Sequence, residues 1–365
     1  MPLSKEELVR YSRQLIIPGL GPEGQEKIKA AKVAVVGAGG LGSLVLGYLA
    51  GAGVGEIGIF DFGAVELSNL HRQLIYSTGD LGRNKTELAK NFLLELNPGV
   101  KVNVREGLLT AANAAEALAG YDFIADCTDN FAARAAVNKA CFGLKKAYVH
   151  GAVYQLEGQL AVFSPHDGPC LGCLVPEALR LQEAACSEEG VLGPTAGAVA
   201  SMQALEILKL ILGMETLKGR FAMLDFKLMN FVVADLKKRA DCPVCGTGAG
   251  DAAAFIDSVS AEFITPEELK ARLDSGAQPL ILDLRHDWEH ELCHIAGDTL
   301  LDPEKLSELA AGLDTGKEII LYCKNQGKST AAFRRLKDLD FTNVRVLKGG
   351  MDAWADKIDK GTIRY

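Results

Sequence analysis

The sequence predicts an α/β chain built as two units in series, and three observations carry that expectation. Apolar, strand-like runs alternate with helical patterns from Lys32 onward. At 365 residues the chain exceeds the length at which a single core usually keeps growing. A run of small residues after Cys245 separates one such alternation from a second. Taken in order, Ser4 and Glu7 read as a capping box, and an amphipathic helix carrying Arg10 and Arg13 is expected after it. The runs "KVAVVGAG", "GEIGIFDF", "KVNVREG", "YDFIADCTDN" and "KKAYVHGAVY" read as strands, with helices such as 85–96 and 132–144 between them. That alternation places a parallel sheet under helices on both faces. "VYQLEGQLAVFSP" reads as further strand, and 198–212 as a strongly apolar helix. "GTGAGDAAAFIDSVSAE" is a linker by composition. The expected boundaries are therefore 1–246, a linker at 247–262, and a smaller α/β unit at 263–365, whose strands are "PLILDLR", "EIILYC" and "NVRVLKG".

Composition narrows the function classes. A hydrophobic share of 48%, a charged share of 24% and a formal net charge of −8 fit a soluble globular protein and argue against nucleic acid as the main partner. Residues 33–55 are uncharged and long enough to cross a bilayer, but they hold eight glycines and open like a strand, turn and helix, so no membrane span is expected. The opening "MPLSKEELVRYSRQ" is charged throughout and lacks an apolar export core, which makes a cytoplasmic address the expectation.

"VVGAGGLGS" matches G-x-G-x-x-G at Gly37, Gly39 and Gly42, after a strand and before a helix. Such a Rossmann-like turn lets phosphate approach backbone N–H groups at the positive end of a helix. Asp61 ends the next strand, where a carboxylate can accept from a ribose hydroxyl. On these residues alone a nicotinamide dehydrogenase fits as well as an ATP user. "DFGAVELSNLHRQLIY" and "GRNK" then add Asn69, Arg72, Gln73 and Lys85. Hydride transfer needs a single pyrophosphate cradle, whereas triphosphate cleavage needs several cations around spreading negative charge, and Arg13, Arg72 and Lys85 supply them. "DCTDN" ends another strand with Asp126 and Asp129, and a carboxylate there is well placed for Mg²⁺. Asp129 and Asn130 can equally cap the following helix, and both readings are compatible.

With those motifs in order, together with "RYSRQL" and the paired C-x-x-C, the chain resembles the MoeB/ThiF family from about Leu8 to Cys245. Members of that family resemble ubiquitin-activating enzymes and adenylate the C-terminal glycine of a ubiquitin-like sulfur carrier ending in Gly-Gly. The resemblance implies that Gly40 and the other loop glycines seat ATP and that Asp61 binds ribose. It implies further that Ser68, Asn69, Leu70, His71 and Arg72, with Lys85, contact phosphates, while Asp129 with Asn130 serves the metal and the adenylation step. It implies also that Arg13 reaches the nucleotide of a partner subunit, hence a homodimer.

Nine cysteines in a reducing compartment point to ligands, nucleophiles or core residues rather than disulfides. Cys170 with Cys173 and Cys242 with Cys245 form two C-x-x-C knuckles, enough thiolates to close a tetrahedral structural Zn²⁺ site. Cys186 sits in a polar stretch, "EAACSEEGVLGPTAG", and in related activating enzymes a cysteine at this place attacks the acyl adenylate or exchanges with the carrier. Cys127, Cys141 and Cys293 lie in apolar, regular segments and read as core. Cys323 ends a strand and opens a glycine-containing loop, with Ser329 expected to cap the helix from Thr330. Successive loop N–H groups and a helix dipole favour anionic sulfur, whether thiolate or persulfide. With "DLRHDWEHELCHIAG" and "VLKGGMDAW" as flanks, this part resembles a single rhodanese-type sulfurtransferase domain over about 264–363. Rhodanese loops often carry glycine three places after the cysteine and arginine two further on. Here Gln326 and Gly327 replace that pattern, and Lys328 keeps the charge without the planar fork. His286, His290 and His294 recur every four residues, but surface or hydrogen-bonding roles are expected because no carboxylate or cysteine motif completes a known metal set.

The resulting expectation is an enzyme whose first unit activates a carrier's C-terminus with ATP, and whose Cys323 persulfide then displaces AMP to give a thiocarboxylate. Thiosulfate or a cysteine desulfurase would supply the sulfur. The alternative keeps the adenylating unit but uses a Cys186 thioester for protein conjugation, with the second unit as a docking module.

Overall fold

The computed structural model describes residues 2–174, 190–247, 262–325 and 327–362. Its contacts divide the chain into two compact units, the described residues up to 247 in the first and those from 262 in the second.

The first unit opens on α1 (Lys5–Arg10), with the Ser4–Glu7 capping box formed, and α2 (Ser12–Leu15). The single helix expected here is broken at Tyr11, whose backbone leaves helical geometry. The break has a tertiary cause. Tyr11 is buried against Gly53, and its hydroxyl accepts from Asn97 Nδ2 at 2.8 Å. Next come α3 (Gly21–Ala30), β1 (Lys32–Val36), α4 (Gly42–Ala52), β2 (Glu56–Asp61), α5 (Lys85–Leu96), β3 (Lys101–Glu106), α6 (Ala114–Leu118), β4 (Phe123–Asp126), α7 (Phe131–Leu144) and β5 (Tyr148–Tyr154). Strands β1 to β5 pair in parallel in the order β3-β2-β1-β4-β5, with Val35 opposite Ile59 on one side and Ala125 on the other. The order reverses at β1, so the carboxyl ends of β1, β2 and β4 border one crevice, the usual ligand position in such sheets.

After Tyr154 the sheet ceases to be parallel. Gln155, at φ +50°, turns β5 back into β6 (Glu157–Phe163), followed by the short helix α8 (Leu171–Leu174) and α9 (Gly193–Leu212). Strands β7 (Arg220–Asp225) and β8 (Asn230–Asp235), which the sequence reading did not single out, complete an antiparallel extension β5-β6-β7-β8. Every residue of β8 is exposed, among them Phe231, Val232 and Val233. Helix α9 is long and apolar enough to cross a bilayer, yet half of its most apolar window is buried in this unit. Ala196, Val199, Ala200, Ala204 and Ile207 join the core with Val33, Val35, Leu46 and Leu49.

The second unit is a parallel sheet of five strands in the order β11-β10-β12-β13-β9. Its elements run β9 (Phe263–Ile264), α10 (Pro266–Asp274), β10 (Leu280–Asp283), α11 (Asp287–Leu292), β11 (Thr299–Leu300), α12 (Leu306–Ala310), β12 (Ile319–Tyr322), α13 (Gly327–Asp338), β13 (Val344–Leu347) and α14 (Gly350–Lys357). The two edge strands span two residues each, too short to announce themselves by alternation. Apolar clusters lie on both sheet faces, one around Leu282, Leu321 and Val346, the other around Ile281, Ile320 and Tyr322.

Candidate functional site

The glycine loop follows β1 and is shaped by contacts that leave no room for side chains. Gly37 sits at φ +93°, and a Cβ there would lie 2.7 Å from the Cys127 carbonyl oxygen. A Cβ on Gly42 would lie 1.7 Å from the Gly37 carbonyl oxygen. Backbone can therefore approach backbone, and α4 starts with its first turn directed at the loop. Asp61 at the end of β2 holds this shape: its carboxylate accepts from Ala38 N–H and from Gly63 N–H, each at 2.7 Å. Tyr76, which the sequence reading passed over, donates to the Ala38 carbonyl at 2.9 Å from beneath. Burial, with the Asp61 charge adding to it, raises its phenol far above the ordinary range, so it remains a donor.

Two of the polar groups expected around phosphate, Arg72 and Gln73, lie against this loop. Gln73 Nε2 lies 3.7 Å from a Cβ placed on Gly39, and the Arg72 side chain lies 3.3 Å from one placed on Gly40. Lys85, at the start of α5, has Nζ 3.4 Å from a Cβ placed on Gly63. Arg72 Nη1 donates to the Ser68 carbonyl at 2.8 Å and lies 2.6 Å from His71 Nε2. Asn69 and Gln73 are buried, and among the described residues Asn69 Oδ1 and Gln73 Oε1 find no hydrogen-bond partner. Orphaned buried amide oxygens are costly unless a ligand or water completes them, which suits a cradle for a polar molecule. Ser68 lies on the 3₁₀ turn Leu67–Asn69, and Leu70 is its C-cap.

Asp129 is exposed beyond β4, and Asn130 caps α7 by accepting from Ala133 N–H at 2.9 Å. Asn130 Nδ2 also reaches Asp129 Oδ1 at 3.3 Å, so the capping turn carries both side chains. Asp126, the other carboxylate of that motif, is sealed away from the crevice. It is fully buried, 2.9 Å from His150 Nδ1, and accepts from the Thr128 hydroxyl at 2.7 Å. Burial pushes its pKa up, but the hydrogen bond and charge of His150, aided by Arg134 and Thr128, outweigh that and hold the carboxyl below its ordinary 3.8. Arg13 is exposed on α2, and among the described residues no hydrogen bond ties it to the loop group.

The four paired cysteines come together as one buried cluster. Their Sγ atoms lie within 4.8 Å of one another, with Cys170 to Cys242 at 3.6 Å and Cys173 to Cys245 at 3.4 Å. Tetrahedral thiolates around zinc stand about 3.8 Å apart, so the spacing fits a metal with no open position. Hydrogen bonds from Cys170 and Cys242, and the Arg239 N–H at 3.4 Å, favour thiolate at Cys173. Cys127 and Cys141 are core residues as expected, whereas Cys293 is only partly buried, with Arg285 Nη1 at 3.7 Å. Cys186 lies outside the described residues.

In the second unit Cys323 is fully buried at the end of β12, with its Sγ 3.3 Å from Ser329 Oγ. Ser329 is therefore not a cap. Helix α13 begins two residues earlier at Gly327, whose N–H donates to Asn325 Oδ1 at 3.1 Å, and Ser329 turns inward to the sulfur. Gly350, at φ +60°, lets α14 press against the loop, and the N–H groups of Met351 and Asp352 take the carbonyls of Cys323 and Lys324. Arg285, Glu289, Cys323, Lys324 and Lys328 line a cavity of about 10 Å³, room for one small atom above the sulfur. Arg285 is held by a buried ion pair to Asp283 at 2.6 Å, and Lys328 Nζ lies 3.5 Å from His286 Nε2. Gln326 lies outside the described residues.

Residues 11–244 match the ThiF family model, and residues 265–357 match that of the rhodanese-like domain. The probable adenylyltransferase/sulfurtransferase MoeZ of Mycobacterium tuberculosis is 39% identical over all of this chain and 96% of its own length. The adenylyltransferase and sulfurtransferase MOCS3 of Culex quinquefasciatus is 36% identical, covering 98% of this chain and 89% of its own. Among solved structures, E. coli MccB with ATP superposes with a TM-score of 0.56 at 25% identity, over 65% of this chain and 74% of that one.

Proposed function

We propose, from the premise that the chain belongs to the ThiF family and ends in a rhodanese-like domain, that it adenylates the C-terminal glycine of a ubiquitin-like sulfur carrier and then thiolates it. The observation that carries this reading is Arg72 and Gln73 set against a glycine loop, with Asn69 buried and Lys85 beside Gly63, in a chain that aligns end to end with relatives named for both activities.

The carrier's terminal carboxylate is already ionised, so adenylation needs no general base. It attacks the α-phosphorus of ATP and pyrophosphate leaves. Gly37, Gly39, Gly40 and Gly42 give the phosphates access to backbone N–H groups, while Arg72, Lys85 and a partner subunit's copy of Arg13 bear the spreading charge. Asn69 Oδ1 and Gln73 Oε1, buried and without a partner among the described residues, are acceptors suited to the nucleotide or its hydration shell. Asp61 retains lone pairs for a ribose hydroxyl while it holds the loop. Asp129, the exposed carboxylate of the β4 turn, would hold Mg²⁺, which screens phosphate charge. The four-cysteine cluster suits a structural Zn²⁺ that ties α8 to the turn at 242–245. Outermost in the sheet, β8 offers an exposed apolar strand, which supports docking of a folded carrier there.

Cys323 carries the transferred sulfur as a persulfide, with Ser329 as a hydrogen-bond partner and a cationic rim for an anionic donor such as thiosulfate or for a cysteine desulfurase product. Its terminal sulfur attacks the acyl carbon, AMP departs, and an acyl disulfide results. A second thiol, for which Cys186 is the candidate, attacks the Cys323 sulfur, releasing the thiocarboxylate and leaving a protein disulfide for a thiol reductant to reopen. A homodimer in the cytoplasm, with its reducing pool, is the fitting context.

The test is mass spectrometry of a small Gly-Gly protein from the same genome after incubation with enzyme, ATP, Mg²⁺ and thiosulfate. A gain of one sulfur for one oxygen is expected. Cys323→Ala should abolish that gain while carrier-dependent exchange of pyrophosphate into ATP continues. Conjugates that persist in Cys323→Ala and vanish in Cys186→Ala would replace this reading with thioester-based conjugation.

A further inference from the structure

The histidines that recur every four residues acquire a carboxylate in the fold. His290 lies in the last turn of α11, His294 just beyond its end, and Asp298 follows Gly297, whose φ of +85° turns the chain back toward β11. His290 Nε2 and Asp298 Oδ1 are 3.0 Å apart, and one donor atom from each of the three residues falls within 4.8 Å of the others. His286, by contrast, faces Lys328 and stays out of the group.

We propose that His290, His294 and Asp298 form a second metal site, for a borderline divalent transition ion such as Zn²⁺, separate from the four-cysteine cluster. Two imidazoles and one carboxylate are the donor set that such ions take with one position left open. A tetrahedral set spaces its donors about 3.3 Å apart. The His290–Asp298 edge already has nearly that length, and the His294 donor lies within 4.8 Å of both other donors.

The surroundings orient these donors. His294 Nδ1 lies 3.0 Å from the His290 carbonyl oxygen, a contact that requires Nδ1 to donate and so leaves Nε2 bare for an ion. The two rings stack at 4.2 Å with planes 11° apart, which keeps them side by side. Asp298 is buried, its side chain 2% exposed, and its second oxygen accepts from the Tyr322 hydroxyl. That hydroxyl also lies 2.9 Å from Asp283 Oδ2 and accepts the Ile295 N–H at 3.3 Å. One phenolic proton cannot serve two carboxylates at once. Asp283 has the Arg285 guanidinium against both oxygens, whereas the ion pair recorded for Asp298 among the described residues is with His290, which is cationic only when protonated. A divalent ion would balance the buried Asp298 carboxylate, bind the bare His294 Nε2 and displace the proton that His290 Nε2 shares with Asp298 Oδ1.

The experiment uses the full-length chain with its cysteine cluster loaded, titrated with Co²⁺ and with Zn²⁺ by equilibrium dialysis and absorption spectroscopy. A further equivalent should bind. Its Co²⁺ spectrum should show d–d bands without the sulfur-to-metal charge transfer of the thiolate site. His294→Gln, at an exposed position, should weaken that equivalent by at least about tenfold and leave the melting temperature of the metal-free second site unchanged. His290→Gln and Asp298→Asn should do the same to affinity. A chain that takes up no ion beyond the cysteine cluster, or whose extra equivalent is equally tight in His290→Gln and His294→Gln, overturns the proposal.

Discussion

Gly42 is the residue with the least freedom in the nucleotide loop, because its own missing side chain is what allows the Gly37 carbonyl to sit where it does. Gly42→Ala is expected to abolish carrier-dependent pyrophosphate exchange and lower the melting temperature of the first unit, both measurable on one preparation. Arg72→Ala and Lys85→Ala remove charge without touching that packing, so each should reduce the exchange rate by about 10²–10³-fold with little change in melting temperature. Asp126 acts at the same scale but on stability. Its folded pKa is depressed, so the stabilisation it contributes is complete above its ordinary value of 3.8 and is lost as pH falls through the lower folded value. Urea midpoints measured across the acid range should fall more steeply below about pH 4 for the native chain than for Asp126→Asn.

Among the elements, α9 and β8 respond to burial in opposite ways. Ile207 is fully buried where α9 crosses the sheet, and Ile207→Ala should lower the unfolding free energy of that unit by about 2–5 kcal/mol, read by chemical denaturation. Phe231 on β8 is exposed, so Phe231→Asp should leave stability unchanged and raise the KM for the carrier about tenfold or more with kcat little affected. A β8 that serves only as the sheet's edge would show no change in KM. Sequence periodicity separates these two elements poorly, since apolar residues in an edge strand resemble a core strand until the partner strand is known. The helices 85–96 and 132–144 were legible because Asn84 and Asn130 sit as caps before continuous helix formers. Tyr11 breaks the helix expected at the N-terminus through contacts with Gly53 and Asn97, both distant in sequence.

At the scale of the whole molecule, two chemistries share one chain, and their separability is measurable. Arg72→Ala should leave transfer of sulfur from thiosulfate to cyanide at the native rate, and Cys323→Ala should leave pyrophosphate exchange at the native rate. Loss of both activities in either variant would mean that the units depend on one another for folding. What the amino-acid order determined by itself was the α/β class, the two-unit division, the glycine loop with basic residues following it in sequence, the paired cysteines and a cysteine at a strand end, because each is written in neighbouring residues whose spacing the backbone preserves. Only the tertiary structure decided that Asp126 of "DCTDN" is buried against His150 while Asp129 is exposed, that Ser329 meets Cys323 rather than capping a helix, that Tyr76 braces the loop, and that Asp298 joins His290 and His294. Those choices depend on which buried polar groups find partners across the fold. Partners far apart in sequence become neighbours only once sheets and helices have packed.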